Sequence, residues 1–430
     1  MQSSTQARTV LLPPSVRSAL RLFFALTGLC LVTELFCHFV LHLHHPYDWP
    51  FPPHENRFSD FLVYDERLRL FHSPDFFTKR VVPPFSYPPA AATVLSLFYL
   101  SSRPLVCFLA TMFLCILGAA VLFGRVLLKH GLSIGSAAAT VLLFAISYPL
   151  VLDVQQGNCE WILWLVLMVG LCAFLADRPA LAAVFLGLGA AIKLYPIILL
   201  ALFIPRRQYR WLAAGLVTFL VSSLGSMWLE SGSIALSWAG TIRGLTGLDK
   251  GFILHPMDFW DHSLFEFFKG AQALGHPEFL SQAASLKLQR FYLLVMAAIG
   301  IVLFLTRIRK MPVINQILAL VTASVLLPPI SMDYTLIHLF LPCGLLILGE
   351  LRNAKSGVVS NPTGVRAALL TFACLFAPMT ELTLYGHTLS NTVRTIALIA
   401  LFVISLRYPL EATESLQQRE PSKIEAALAA

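Results

Sequence analysis

Residues 104–124 read PLVCFLATMFLCILGAAVLFG, an apolar stretch without a charged side chain. A helix needs about 20 predominantly apolar residues to cross the hydrocarbon core of a bilayer. This stretch therefore predicts a transmembrane helix. Further apolar runs fall near residues 20–42, 88–102, 133–152, 159–177, 179–204, 211–229, 288–306, 312–330, 334–350, 365–384 and 389–407.

The composition of the whole chain leads to the same conclusion. Apolar residues make up 57% of the 430 residues and charged residues only 13%, about half the fraction found in soluble domains. A water-soluble surface cannot be built from that inventory. We therefore predict an all-α polytopic membrane protein of about 12 spans, with residues 1–430 forming one domain.

The charged residues and cysteines exclude two other classes. The formal charge of +8 comes from 31 Lys and Arg that are scattered among the apolar runs, so the continuous basic patch of a nucleic-acid-binding protein is missing. The 8 cysteines form no CxxC pair and predict neither a disulfide framework nor a zinc site.

Two polar segments interrupt the apolar runs: residues 43–87, called outer loop 1 below, and residues 230–287, called outer loop 2. Long loops in compact proteins are usually functional. Lys and Arg accumulate at the cytoplasmic ends of spans, so the clusters within 206–210, 307–310 and 352–355 are assigned to the inside. Both outer loops then lie outside the membrane.

The segment from Ala180 to Phe203 has two possible paths. Pro196 lacks a backbone N–H and disfavours a continuous helix. The segment either crosses once or, as we prefer, breaks near Lys193 and Pro196 into two short helices, in which case residues 88–102 are re-entrant. Either path gives about 12 crossings and leaves the polar tail, residues 408–430, in the cytoplasm.

Outer loop 1 contains a candidate catalytic carboxylate. Asp60 and Tyr64 are spaced one helical turn apart, and Tyr87 precedes two prolines that favour a helix start. An acid held beside apolar walls outside the bilayer can act as a general base. The simpler interpretation is that Asp60 solvates or caps a short interfacial helix.

Lys193 is a candidate ligand for an anion. A charge inside an apolar segment is costly and marks a functional site or a paired group, and an ammonium is a good point-charge ligand for phosphate. The alternatives are a side chain that reaches back to the interface or a structural ion pair. Gln156 and Asn158 flank Gly157 in a polar turn between two apolar runs, which alone indicates only a turn.

Two further polar pairs carry little information by themselves. His262 and Ser263 lie in outer loop 2, and Asp333 and Tyr334 lie at a helix junction. An isolated His or Asp in such places usually forms hydrogen bonds within the structure and has no role in catalysis or binding.

Taken in order, these motifs resemble glycosyltransferase family 87. The motifs are Asp60-x-x-x-Tyr64, Tyr87-Pro88-Pro89, Gln156-Gly157-Asn158, Lys193-Leu194-Tyr195-Pro196, His262-Ser263-Leu264 and Ser331-x-Asp333-Tyr334. The family comprises bacterial membrane enzymes of the GT-C fold, among them polyprenyl-phosphate-mannose-dependent mannosyltransferases and related arabinosyltransferases. The resemblance covers about residues 20–407, and its specificity comes from order and spacing because each motif is short.

The resemblance implies a function for the chain. It implies inverting transfer of a sugar from a polyprenyl-phosphate donor to a hydroxyl of a lipid or glycan acceptor. The reaction takes place on the outer face of the bacterial cytoplasmic membrane and needs no metal or other cofactor. The implied partners are this donor, this acceptor and the surrounding membrane lipids, with no nucleic acid.

The resemblance also implies site residues. Asp60 matches the catalytic carboxylate, and Lys193 would lie near the donor phosphate. Substrate-binding positions are predicted at Tyr64, Tyr87, Gln156, Asn158, Lys193, Tyr195, His262, Ser263, Asp333, Tyr334 and His338. The sequence departs from the family pattern at two places. An Asn-Gln-Ser-like motif of the family reads Asp261-His262-Ser263 here. A His that the family often has near Ser331 is replaced by Asp333 and Tyr334, and His338 is a candidate substitute for that His.

Two other functions compete with this one. A transporter or lipid-linked sugar flippase also uses broken helices and a buried Lys, but such proteins usually show internal symmetry, and no repeat is visible here. A structural membrane protein without catalysis would leave the cost of burying Lys193 unexplained.

Overall fold

The computed structural model describes residues 11–42, 57–79, 85–248, 261–275, 282–356, 362–379, 383–384 and 387–410. The remaining parts of both outer loops and the predicted tail after residue 410 lie outside the described residues. Within the described ranges the chain is helical, apart from a two-residue antiparallel ladder of β1 (Thr383–Leu384) and β2 (His387–Thr388) and a single bridge between Asp261 and Met332. The predicted all-α class is confirmed.

The helices follow the predicted apolar runs closely. In chain order they are α1 (Pro14–Phe39), α2 (Ser59–Leu62), α3 (Asp65–Leu68), α4 (Asp75–Thr78), α5 (Pro89–Ser96), α6 (Pro104–Lys129), α7 (Ile134–Ala145), α8 (Tyr148–Gln156), α9 (Glu160–Leu175), α10 (Pro179–Ile192), α11 (Tyr209–Ser231), α12 (Ile234–Leu248), α13 (Leu264–Gly275), α14 (Gln282–Thr306), α15 (Val313–Leu326), α16 (Phe340–Ser356), α17 (Pro362–Phe376) and α18 (Leu389–Arg407). Tighter 3-10 helices cover Leu97–Leu100, Tyr195–Phe203, Ile308–Lys310 and Asp333–Leu339.

The protein is a polytopic membrane protein, but the number of crossings stays a prediction. In the described part of the chain, 6 helical segments are long and apolar enough to cross a bilayer. A seventh is present if α7 and α8, which meet at 48°, form one bent span. The other apolar helices, such as α9 and α10, have 10–17 residues and are shorter than the usual span of about 20 residues.

Prolines explain both breaks in the apolar runs. Pro149 lies in the first turn of α8 and cannot donate to the carbonyl of Ala145, so α7 ends there. Pro196 likewise cannot donate to the carbonyl of Ile192, where α10 ends. Lys193 then has extended backbone angles before the chain enters a 3-10 helix. The predicted break at Lys193 is therefore confirmed.

Residues 88–102 do not form a full-length helix. They contain α5 and the 3-10 turn Leu97–Leu100. This 12-residue unit is about 18 Å long, which is less than the ~30 Å hydrocarbon core. The length agrees with the re-entrant path.

Two details of the loops differ from the sequence prediction. Outer loop 2 is shorter than residues 230–287 and partly helical, because α11 continues to Ser231, α12 and α13 lie inside it, and α14 begins at Gln282. The early start of α14 follows from the Ala, Leu, Lys and Gln residues that precede its apolar part, all good helix formers. In outer loop 1, Asp60 and Tyr64 do not share one helix, since α2 ends at Leu62 and Tyr64 immediately precedes α3.

The helices divide into an inner and an outer group. Long helices such as α6 and α14 expose most of their apolar side chains, as expected for surfaces that face lipid rather than water. In contrast, α15 is buried along almost its whole length. The α10 and α11 backbones touch, because a Cβ added at Gly187 would lie 2.4 Å from the carbonyl oxygen of Gly215. Such close contact of small residues is how membrane helices gain packing energy.

Candidate active site

The turn between α8 and α9 attaches outer loop 1 to the helix bundle. Gly157 ends α8 in the left-handed conformation (φ +66°), and a Cβ there would lie 3.2 Å from Cα of Phe58. Two hydrogen bonds join the loop to this turn: Phe58 N donates to the Gln155 carbonyl (2.7 Å), and Ser59 Oγ donates to Gln156 Oε1 (2.7 Å). Asp60 follows directly, so the glycine turn decides where this carboxylate lies.

Asn158 holds Asp60 in place. Its Nδ2 donates to Asp60 Oδ2 (2.6 Å) and to Tyr87 OH (2.9 Å). Its Oδ1 accepts from the Glu160 backbone N (3.1 Å) and from Lys193 Nζ (3.5 Å). Asn158 is only 1% exposed, and with both amide hydrogens engaged it fixes a carboxylate, a phenol and an ammonium relative to one another.

The surroundings of Asp60 favour proton uptake by its carboxylate. Burial raises the pKa of its carboxyl, whereas the hydrogen bond from Asn158 and the positive charge of Lys193 act in the opposite direction without cancelling the effect. The side chain keeps some solvent exposure. A carboxylate with a raised pKa accepts a proton more readily than an ordinary surface Asp.

Tyr64 and Tyr87 form an aromatic wall beside Asp60. Their rings lie 5.5 Å apart at 66°, and the Tyr64 hydroxyl is 2.5 Å from Ser86 Oγ. The pKa of Tyr87 lies well above its ordinary value, first because of burial and then because of the negative charge of Asp60. Tyr87 is therefore a neutral hydrogen-bonding group.

Lys193 is paired with Glu160, a residue that was not among the predicted site residues. Their side chains form an ion pair in which Glu160 is fully buried and Lys193 is 12% exposed. The ammonium also lies 5.2 Å from the ring centre of Tyr87 and 5.5 Å from that of Tyr334. The structural ion pair considered from the sequence is thus present, together with an aromatic cage on the open side of the ammonium.

Glu160 connects this pair to two more predicted residues. Its Oε1 accepts from Tyr195 OH, and His338 Nε2 lies 2.7 Å from the same oxygen. Tyr195 OH and His338 Nε2 are 2.8 Å apart. We call the group Asp60, Tyr87, Asn158, Glu160, Lys193, Tyr195, Tyr334 and His338 the Asp60 cluster. Its open face is formed by Asp60, Lys193 and the three tyrosines, which all retain partial exposure.

His262, Ser263 and Asp333 belong to a different group. His262 Nδ1 is 2.9 Å from Asp333 Oδ1, and Arg394 donates to Asp333 Oδ2; all three side chains have 0% exposure. Ser263 Oγ accepts from the backbone N of Glu266 at the start of α13 (3.0 Å). We call His262, Asp333 and Arg394 the buried clamp. It ties outer loop 2 and α18 to the 3-10 helix that carries Tyr334 and His338.

The clamp is reinforced by Asp261. Its Oδ1 accepts from the backbone N of Ser263 (2.8 Å) and of Ser331 (3.0 Å). Burial raises the pKa of this carboxyl, against these two hydrogen bonds. Asp261, at which the sequence departs from the family motif, therefore closes outer loop 2 onto the Ser331 turn.

Two signals in the sequence pointed to the residues that were missed. Glu160 is an acid at the start of an apolar run, where a charge needs a partner, and Lys193 is a base within another apolar run. Arg394 is likewise a charge inside the apolar run of α18. Neither signal says which partner is in contact, and only the fold supplies this pairing.

These features define a helical membrane protein with an acid–base cluster where an outer loop meets the ends of internal helices, a class that includes membrane transferases. The model of glycosyltransferase family 87 matches residues 85–329. The match covers more than half of the chain and contains Tyr87, Asn158, Glu160 and Lys193. The chain belongs to glycosyltransferase family 87, as its sequence motifs suggested. Neither the search of curated proteins nor that of solved structures found a match.

Proposed function

We propose that this membrane glycosyltransferase moves a sugar from a polyprenyl-phosphate donor to a hydroxyl of a lipid or glycan acceptor, with mannose as the first sugar to test. The proposal includes a GT-C fold, an active site on the outer face of the bacterial cytoplasmic membrane, and inversion at the anomeric carbon. The observation that carries it is the bridge made by Asn158 between the Asp60 carboxylate and the Lys193 ammonium.

Asp60 acts as the general base. The acceptor oxygen forms a bond to the anomeric carbon while its proton passes to the Asp60 carboxylate. The bond between the anomeric carbon and the phosphate oxygen breaks, and its electron pair leaves with polyprenyl phosphate. A single displacement of this kind inverts the anomeric configuration. One carboxylate suffices because phosphate is a good leaving group, unlike the alcohol that a glycosidase must protonate.

Lys193 stabilises the departing phosphate. Glu160 and Asn158 each accept a hydrogen bond from the ammonium, and the third N–H of the ammonium remains to donate to the phosphate. A preorganised cation is most useful where charge develops during the reaction. The pairing with Glu160 keeps the ammonium charged in an apolar surrounding before the donor arrives.

The position of the cluster fits an enzyme that faces outward. It lies where outer loop 1 meets the first residues of α9, whereas Arg206 and Arg207 lie beyond the other end of the same helix. Arg accumulates on the cytoplasmic side of membranes. Membership of a glycosyltransferase family favours this reaction over the transporter or flippase considered from the sequence.

A transfer assay with a matched pair of variants tests the proposal. The purified protein is incubated with polyprenyl-phosphate mannose or arabinose and membrane-lipid acceptors, and transfer is followed by mass spectrometry. Asp60→Asn keeps the size of the side chain but cannot take the proton, so we expect a loss of about 100- to 10,000-fold in turnover. Asp65→Asn changes an exposed carboxylate of the same loop that pairs with Arg69 and hydrogen-bonds Tyr99 but does not belong to the Asp60 cluster, and it should keep near-normal turnover.

Three outcomes would count against the proposal. Retention of more than a third of turnover by Asp60→Asn would remove Asp60 as the base. Equal loss in both Asp variants would indicate a general defect of outer loop 1. Absence of transfer by the unmodified protein with either donor would reject the polyprenyl-phosphate sugar.

A further inference from the structure

A polar cleft lies at the end of the bundle away from the Asp60 cluster. It has a volume of about 610 Å³ and is bordered by the turn after α9 and the start of α11. Its polar and aromatic lining consists of Asp177, Arg207, Gln208, Tyr209, Arg210 and Trp211. None of these residues takes part in the candidate active site.

The helices fix how far apart the two sites are. The 16-residue α9 runs from Glu160 in the Asp60 cluster to Leu175 beside the cleft, a length of about 24 Å. The 23-residue α11 begins at the cleft with Tyr209 and is about 34 Å long. Its far end meets outer loop 1, where His72 N donates to the Glu230 carbonyl (3.1 Å). The cleft and the Asp60 cluster therefore lie near opposite faces of the membrane.

Two arginines in the cleft are available to an anion. Arg206 is already used: it donates to the Phe174 carbonyl (3.1 Å) and lies 3.7 Å from Asp177. Arg207 and Arg210 are exposed, and neither forms an ion pair with another described residue. The Arg210 guanidinium lies 4.8 Å from the ring centre of Trp211. Guanidinium groups bind phosphate with paired hydrogen bonds.

The cleft also offers acceptors and an interfacial anchor. Gln208 Oε1 is shielded from solvent and accepts no hydrogen bond from the described residues, and the Asp177 carboxylate is 77% exposed. Both suit a ligand that brings hydroxyl donors together with its phosphate. Tyr209 and Trp211 are aromatic residues of the kind that mark the level of lipid headgroups.

An apolar track leads away from the cleft along α11. Its outward side chains are exposed over successive turns of the helix: Val217, Leu220, Val221 and Leu224. On α10, Leu181 and Val184 are exposed as well. A ligand with a charged head and hydrocarbon chains matches both the cleft and this track.

We propose that the cleft binds the headgroup of an anionic phospholipid of the phosphatidylglycerol type in the cytoplasmic leaflet. The phosphodiester pairs with Arg207 and Arg210, the glycerol hydroxyls donate to Asp177 and Gln208, and the acyl chains follow α11. Basic pockets between helices on the cytoplasmic side are typical sites for such lipids. The proposal does not depend on which sugar donor the enzyme uses.

Lipid binding by the full-length protein in neutral detergent tests this site. Phosphatidylglycerol and phosphatidylcholine are titrated separately, with bound lipid counted by native mass spectrometry and thermal unfolding measured in parallel. We expect the unmodified protein to bind phosphatidylglycerol about tenfold more tightly, and Arg207→Gln/Arg210→Gln to abolish that preference. Arg207→Lys/Arg210→Lys keeps the charge but loses the planar fork of the guanidinium and should retain part of it.

A matched control separates a specific site from general positive charge. Arg309→Gln/Lys310→Gln removes two exposed cations from another basic cluster and should leave the preference unchanged. An equal loss in this control, or no preference in the unmodified protein, would overturn the proposal. Competition by soluble glycerol 3-phosphate at the same concentration as the lipid would show a phosphate site and not a lipid site.

Discussion

Replacing Asn158 with Ala should change the pH dependence of the enzyme. The Asn158 amide donates to the Asp60 carboxylate at 2.6 Å, and this bond favours the charged form of Asp60 and lowers its pKa. In the variant that bond is lost while burial continues to favour the neutral form. The pKa of Asp60 therefore rises further, and the base becomes protonated at a higher pH.

The strength of the hydrogen bond sets the size of the effect. A hydrogen bond to a charged group is worth about 1.5–3 kcal/mol, and a tenfold change in an ionisation equilibrium corresponds to about 1.4 kcal/mol. The acidic limb of the plot of kcat/KM against pH should therefore move upward by about 1 to 2 pH units. At pH values above this limb, Asp60 is ionised in both proteins. Any loss of activity that remains there reports only the misplacement of the Asp60 carboxylate.

The assay is sugar transfer measured across the pH range, with Gln156→Ala as the matched control. Gln156 lies in the same turn, but its side chain accepts from Ser59 and does not touch Asp60. The acidic limb of the pH profile of Gln156→Ala should lie at the same pH as that of the unmodified enzyme. If Asn158→Ala lowers activity equally at every pH without moving the limb, Asn158 does not tune the base and the reasoning fails.

Three more variants test other parts of the structure. Lys193→Met leaves Glu160 buried without its cation and should lower stability by about 3–5 kcal/mol, seen as a lower Tm. Adding Glu160→Gln should restore most of this stability. If the double variant still binds polyprenyl phosphate normally, Lys193 does not bind the phosphate. Gly157→Ala should lower both stability, by about 1–2 kcal/mol, and turnover, because Gly157 has a left-handed backbone. The control Gly225→Ala lies inside α11 and has no heavy atom near its added Cβ, so it should keep normal turnover and should not lower Tm. Asp333→Asn breaks the buried clamp and should lower Tm. It should also raise KM for the donor, because Tyr334 is displaced. A lower Tm with an unchanged KM would mean that the clamp contributes only to stability.

The sequence predicted the helical class from local signals, whereas it predicted the family from the order and spacing of short motifs, and most members of the Asp60 cluster through that resemblance. Apolar runs show where helices lie, and Pro196 shows where one stops. Lys193 is noticeable because a charge in an apolar run is costly. These are properties of short stretches, so no knowledge of the fold was needed.

Pairings across the chain were beyond the reach of the same reasoning. Glu160 and Lys193 are brought together by the antiparallel packing of α9 and α10, and His262 meets Asp333 and Arg394 only after three distant segments assemble. The family resemblance predicts His262 and Asp333 as substrate-binding residues, whereas in the structure both side chains have 0% exposure and contact each other. Asp60 and Tyr64 have helical spacing in the sequence, but α2 ends at Leu62, before Tyr64.

The 3-10 winding of Asp333–Leu339 has a geometrical consequence for the Asp60 cluster. With 3 residues per turn, Tyr334 and His338 point about 120° apart around the axis, whereas in an α-helix they would be separated by only about 40°. The two side chains can therefore reach the Lys193–Glu160 pair from different sides. Rewinding the segment as an α-helix would shorten it by about 3.5 Å and swing one of them away. Asp333 is the first residue of this segment, and its bonds to His262 and Arg394 hold the start of the 3-10 winding in place.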